Sequence, residues 1–90
     1  MLMPFYYGSF KKDRKLMAKQ NKDMDKLSEV MNLLINEQPL PQKHENHPLH
    51  GDYIGWWECH VRPDWLLIYR VDKTNNNIVF YRTGSHSDLY

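Results

Sequence analysis

Ninety residues, 41% of them hydrophobic, 13% aromatic and 26% charged, describe an ordinary globular chain rather than a disordered or fibrous one, and a single domain over residues 1–90 is expected. A formal charge of +1 and a pI near 7.9 exclude the strongly basic balance of a dedicated nucleic-acid binder. The lone cysteine, Cys59, excludes an internal disulfide; with no secretory leader and no apolar run near the roughly 18 residues of a membrane span, a reducing cytoplasm is the expected compartment.

The apolar and aromatic run LMPFYY (2–7) before Gly8 predicts a short first strand, with Pro4 tolerable only at an edge or near a terminus. Ser9 then caps a basic helix from Phe10 to about Lys19, whose apolar stripe is thin: Phe10, Leu16 and Met17. Asn21 or Asp23 opens a second helix, in which Met24, Leu27, Met31 and Leu34 recur at three- and four-residue spacing and Val30 and Ile35 widen the stripe into a core face. Pro39 and Pro41 end it, and 38–51 reads as an irregular connection. Strands follow over about Tyr53 to Arg62, Trp65 to Val71 and Ile78 to Thr83, joined by a Pro63-Asp64 turn and the hairpin loop DKTNNN. WLLIYRV, apolar almost throughout, predicts a central strand covered on both faces, whereas Glu58, His60 and Arg62 alternate with Cys59 and Val61 as on a half-exposed strand. The order predicts an α+β domain, an N-terminal strand and two helices packed on an antiparallel sheet.

Between residues 11 and 26 seven basic side chains, Lys11, Lys12, Lys15 and Lys19 among them, stand against Asp13, Asp23 and Asp25. That excess suits phosphate contact or a solvated helix face equally well. Four of the five histidines fall in three polar motifs, HPLHG (47–51), ECHVRPDW (58–65) and RTGSH (82–86). His44, His47 and His50 have metal-like H-x-x-H-x-x-H spacing, but Pro48 disfavours a helix that would align them and one cysteine supplies no paired zinc spacing, so neither metal nor cofactor is expected. Cys59 and His60 are strand neighbours pointing to opposite faces, which makes Cys59 a small buried residue rather than a nucleophile, and Ser85 beside His86 lacks an elbow motif.

The remaining chemistry suits a phosphodiester. RNA carries its own nucleophile, the 2′-hydroxyl, so cleavage needs one group to remove that proton, another to protonate the leaving 5′-oxygen, and a cation for the phosphorane charge. Histidine, with an unperturbed pKa of about 6.5, fits the first two tasks. Arg82 fits the third, because its guanidinium stays charged and pairs bidentately with phosphate oxygens. Gly84 allows a turn that brings His86 back toward Arg82, and His47, His60 and Asp64 lie in segments able to converge with them on one edge or face. Trp65 and Tyr90 are candidates to stack on unpaired bases, while Trp56, Tyr69 and Phe80 read as structural.

The order and spacing of HPLHG, ECHVRPDWLLIY and RTGSHSDLY, with the helix pattern DMDKLSEVMNLLINEQPLP, resembles the YafQ-like branch of the RelE/ParE superfamily of type II toxin–antitoxin toxins over nearly the whole chain. The resemblance implies a RelE-like, microbial-ribonuclease-like fold and a metal-free, ribosome-dependent endoribonuclease that cleaves translated mRNA in the A site. Implied partners are the ribosome with its RNA, mRNA and a cognate antitoxin, the toxin being monomeric when free. The resemblance places the site on His47, His60, Asp64, Trp65, Arg82, His86 and Tyr90, with His86 as general acid and Arg82 as phosphate ligand. The base is His60, His47 or Asp64, the histidines being favoured because an ordinary aspartate, with a pKa of about 3.9, is a weaker base. The basic helix would carry most contacts with ribosomal RNA, Lys11, Lys12, Lys15 and Lys19 foremost. His50 stands where the family often has glutamine, and Tyr90 where it usually has phenylalanine. The alternative is a non-catalytic member of the superfamily acting on a protein target such as gyrase, which would lack the acid–base set.

Overall fold

A computed structural model describes residues 1–90. Strand β1 (Met3–Tyr6) leads into helices α1 (Gly8–Lys19) and α2 (Met24–Ile35). Two 3₁₀ turns, Gln42–His44 and Gly51–Tyr53, flank the two-residue strand β2 (His47–Pro48). Strands β3 (Trp57–Arg62), β4 (Trp65–Asp72) and β5 (Asn77–Gly84) and the one-turn helix α3 (His86–Leu89) follow.

The strands form one sheet in the order β1-β5-β4-β3-β2. Neighbours among β2 to β5 pair antiparallel, but β1 pairs parallel with β5, Met3 opposite Asn77 and Tyr6 opposite Phe80. The expected antiparallel sheet is therefore mixed. The cause is the connection: α1 and α2 carry the chain across one face to the far side of the sheet, so β1 ends beside the last strand of the meander and not its first.

Phe10 and Met17 of α1, with Leu27, Val30, Met31 and Leu34 of α2, bury against Cys59, Leu67, Tyr69, Ile78 and Phe80 of the sheet. Each such large apolar side chain contributes about 1.5–3 kcal/mol on burial. On the opposite face Leu66 and Ile68 are covered by Leu89 of α3 and flanked by Leu49, Trp56 and Tyr81. Both faces of β4 are thus occupied, which is why its sequence is apolar without alternation.

Several boundaries differ from the expectations. Ser9 lies inside α1 instead of capping it, and its hydroxyl donates to the Tyr81 carbonyl at 2.8 Å, fastening the helix to β5. Asp23 does cap α2, accepting from the Asp25 amide at 3.2 Å. The connection at 38–51 contains β2, whose Pro48 is tolerated because β2 is an edge strand. Strand β3 begins at Trp57 and not at Tyr53, because the 3₁₀ turn and Gly55, at φ +92°, bend the chain before it. Helix α3 was not expected at all. Ser85 starts it with a capping box, its side chain accepting from the Asp88 amide while the Asp88 carboxylate accepts from the Ser85 amide.

Register places the polar motifs. His47 pairs with Glu58, Glu58 with Ile68, and Ile68 with Arg82, one row across four strands. The next row on the same face is His60, Leu66 and Gly84. A bulge makes the row possible: Tyr69 pairs with Phe80 and Ile68 with Arg82, leaving Tyr81 as the extra residue on β5. Glu58, His60, Leu66 and Ile68 consequently share the sheet face opposite α1 and α2.

Candidate active site

Glu58 is the centre of this face. The residue is only 5% exposed, yet its carboxylate meets three side chains. Oε1 lies 3.3 Å from Nε2 of His47 on β2 and 3.8 Å from Nε2 of His60 on its own strand, while Oε2 accepts the Tyr90 hydroxyl at 2.5 Å. Burial first, and then the hydrogen bond to the Glu58 carboxylate, push the Tyr90 hydroxyl above its ordinary pKa, so it stays a donor. Nδ1 of His47 faces the Pro48 carbonyl at 3.2 Å and Nδ1 of His60 the Pro63 carbonyl at 3.1 Å. A carbonyl accepts only, so Nδ1 of each ring is a donor, and the Nε2 turned toward Glu58 can bond that carboxylate only through a further, shared proton.

A second pair stands beside this trio. The Asp64 carboxylate accepts from Nδ1 of His86 at 3.0 Å and from the His86 amide at 3.2 Å. These bonds, the ring first, hold Asp64 below the usual carboxylate range. They also fix the His86 tautomer and leave its Nε2 free. The capped α3 turn positions this ring, and Gly84 permits the turn, since a Cβ there would meet Asp88 at 3.2 Å. The rings of His60 and His86 are 5.9 Å apart, and His86 lies 6.4 Å from the Tyr90 ring.

Arg82 is on the same face but touches no histidine. Adjacent strands are about 4.8 Å apart, so two strand spacings put Arg82 about 10 Å from Glu58 in its row. Its guanidinium pairs with Asp13 of α1, Nε at 2.6 Å and Nη2 at 3.2 Å. The Asp13 hydrogen bond raises Arg82 further above its ordinary pKa and keeps it charged.

Of the residues expected from sequence, His47, His60, Asp64, His86 and Tyr90 thus gather in one cluster, with Arg82 on its flank. Lys11, Lys12, Lys15 and Lys19 are exposed on α1. Trp65 requires correction: it is 3% exposed, its indole donates to the Thr83 hydroxyl at 2.9 Å, and no base can stack on it there. Tryptophan beside a turn looks available in sequence, but β4 turns this ring into the core. The sequence reading also missed Glu58, treated as one of three alternating surface residues. The available signal was its i,i+2 spacing from His60, which puts both on one strand face.

The cluster can also accept a cation, since His47, Glu58 and His60 offer ligand atoms within 4.8 Å of one another. This is a different set from the His44, His47 and His50 spacing. His44 instead turns Nδ1 to the His60 carbonyl at 2.6 Å, and His50 precedes the second 3₁₀ turn. Cys59 faces the opposite side, where burial first and the Glu58 charge second push its thiol up to about 12.

Comparison with known proteins adds the lineage. The family described as "Bacterial toxin of type II toxin-antitoxin system, YafQ" matches residues 3–90. The chain belongs to the YafQ toxin family. It is 46% identical over 86 residues to the mRNA interferase toxin YafQ of Escherichia coli K12, covering 94% of this chain and 91% of that protein. Among solved structures, the crystal structure of a metal-bound toxin from Helicobacter pylori superposes with a TM-score of 0.94 at 40% identity, with all of both chains covered. YafQ in the crystal structure of the E. coli DinJ-YafQ complex superposes at 0.91 and 43% identity, covering 100% of this chain and 99% of that one. No helix of this YafQ-family toxin is long and apolar enough to cross a membrane.

Proposed function

We propose that this toxin is an mRNA interferase that cleaves translated mRNA by metal-free acid–base chemistry, the RNA's own 2′-hydroxyl attacking the adjacent phosphate. The observation that carries the reading is the pairing of two proton-handling units, the His47–Glu58–His60 trio and the Asp64–His86 pair, with 5.9 Å between the His60 and His86 rings. The trio takes the 2′-hydroxyl proton, its two imidazoles converging on one carboxylate oxygen. His86, with Nδ1 held by Asp64, delivers a proton from Nε2 to the leaving 5′-oxygen, so the base and acid tasks fall on different sides of the scissile phosphate. Arg82 answers the negative charge that grows on the non-bridging oxygens. Attack by the 2′-hydroxyl leaves a 2′,3′-cyclic phosphate and a 5′-hydroxyl, with no water consumed in the first step.

Glu58 replaces a lone histidine at the centre of the base. A histidine base must present an Nε2 lone pair to the substrate, but both Nε2 atoms turn toward Glu58, where the carboxylate is the natural proton acceptor. Tyr90 steadies that carboxylate, a contact that phenylalanine could not make. The exposed lysines of α1 supply the electrostatic grip on ribosomal RNA that the chain's small net charge does not. The DinJ-YafQ complexes support a cognate antitoxin as the partner that silences this toxin. A toxin acting only by binding a protein target would have no use for a buried carboxylate serving two imidazoles.

The test is to induce wild type, His86→Ala and Glu58→Gln in bacteria and map mRNA 5′ ends. Cuts in phase with translation are expected from the wild type, reduced about 10²- to 10⁴-fold in each variant. Equal growth arrest by all three would overturn the catalytic reading.

A further inference from the structure

Asp13 is one of three acidic residues in a basic stretch, and the chemistry above gives it no task. Its side chain is only 14% exposed, far less than the lysines around it. One carboxylate oxygen, Oδ2, accepts from Nε of Arg82 at 2.6 Å and from the Thr83 amide at 3.1 Å; the other, Oδ1, accepts from Nη2 at 3.2 Å. Three donors from two successive residues of β5 thus converge on one side chain of α1. We propose that Asp13 is a positioning residue for Arg82, holding one edge of the guanidinium so that the other is presented to the substrate phosphate.

The donor inventory explains the geometry. A guanidinium has five N–H groups in a planar fork. Asp13 takes the side edge, Nε and one proton of Nη2, and leaves the end edge, one proton of Nη1 and the second of Nη2. That end edge is the pair of nitrogens that grips two phosphate oxygens at once. Without the carboxylate the side chain is free to rotate among several staggered conformers, most of which aim the fork elsewhere. The Thr83 amide makes the clamp a backbone contact as well, so Asp13 registers α1 against β5 at the residue that must bind phosphate. The same helix exposes Lys11, Lys12, Lys15 and Lys19, so docking of its outer face on RNA is mechanically joined to the Arg82 fork on its inner side.

The proposal rests on Arg82 as the phosphate ligand, and a double-mutant cycle separates the two claims. Single-turnover cleavage of a defined mRNA on programmed ribosomes is measured for wild type, Asp13→Asn, Asp13→Glu, Arg82→Ala and the Asp13→Asn/Arg82→Ala pair. Circular dichroism and antitoxin binding identify the folded variants. Asp13→Asn is expected to lower the cleavage rate constant 10- to 100-fold while the half-saturating ribosome concentration changes less than threefold. Asp13→Glu should recover part of the loss. In the Arg82→Ala background the Asp13 change should have no further effect. Equal losses from Asp13→Asn with and without Arg82 would make Asp13 merely structural and overturn the proposal, as would a faster Asp13→Asn enzyme, the mark of a carboxylate competing with phosphate. If Asp13→Asn does not fold, Asp13→Glu decides: unaltered half-saturation with a reduced rate supports positioning, and wild-type cleavage contradicts it. Full activity in Arg82→Ala would instead defeat the phosphate-ligand reading itself.

Discussion

At the scale of single residues, the site works by turning ordinary side chains into partners with fixed tautomers. Asp64 illustrates this on the surface. Its bonds from His86 hold its pKa below the unfolded value of about 3.9. A carboxyl depressed on folding stabilises the native state above its unfolded pKa, and that contribution is lost as pH falls through the lower folded value. Asp64→Asn should therefore flatten the acid limb of the melting temperature below about pH 4. An acid limb identical to that of the wild type would contradict the pairing. His86, His60, Asp64 and Arg82 were legible as candidates for proton transfer and phosphate binding by residue type alone. Glu58 and Asp13 were not, because a carboxylate's value here comes from burial and partners far along the chain. Trp65 shows the reverse error, a residue type suited to stacking in a place where β4 buries it.

At the scale of elements, strong periodicity was readable and short or non-local structure was not. The α2 stripe and the apolar β4 follow directly from residue spacing, and both lie where spacing puts them. Parallel pairing of β1 with β5 joins residues more than seventy apart, which no local pattern records. Helix α3 is four residues long, too short for any hydrophobic period, although Ser85 and Asp88 carry its capping signature in plain view. That cap also positions the His86 ring, because His86 is the first residue of α3. Ser85→Ala should cost about 1 kcal/mol in stability by urea unfolding. It should also lower the cleavage rate by more than that loss explains, since the folded molecules hold His86, the proposed general acid, loosely. A cleavage rate equal to wild type in the fully folded variant would detach the cap from the chemistry.

At the scale of the whole molecule, the sheet separates two tasks. Its α1–α2 face supplies the core, and its other face carries the Glu58–histidine cluster, with β4 as the shared wall. Charge is unevenly distributed: the net charge of +1 is small, but Lys11, Lys12, Lys15 and Lys19 stand exposed together on α1. The central claim is that two adjacent proton-handling units cleave RNA through its own 2′-hydroxyl without metal. The measurement that tests it most directly is the chemistry of the cut ends, made by purified toxin on ribosome-bound mRNA in excess EDTA, with a second mRNA carrying a single 2′-deoxy substitution at the cut site. The account predicts 5′-hydroxyl and 2′,3′-cyclic phosphate ends from the first mRNA and an intact 2′-deoxy site in the second. Products with 5′-phosphate ends, cleavage at the 2′-deoxy site, or loss of activity in EDTA would contradict it.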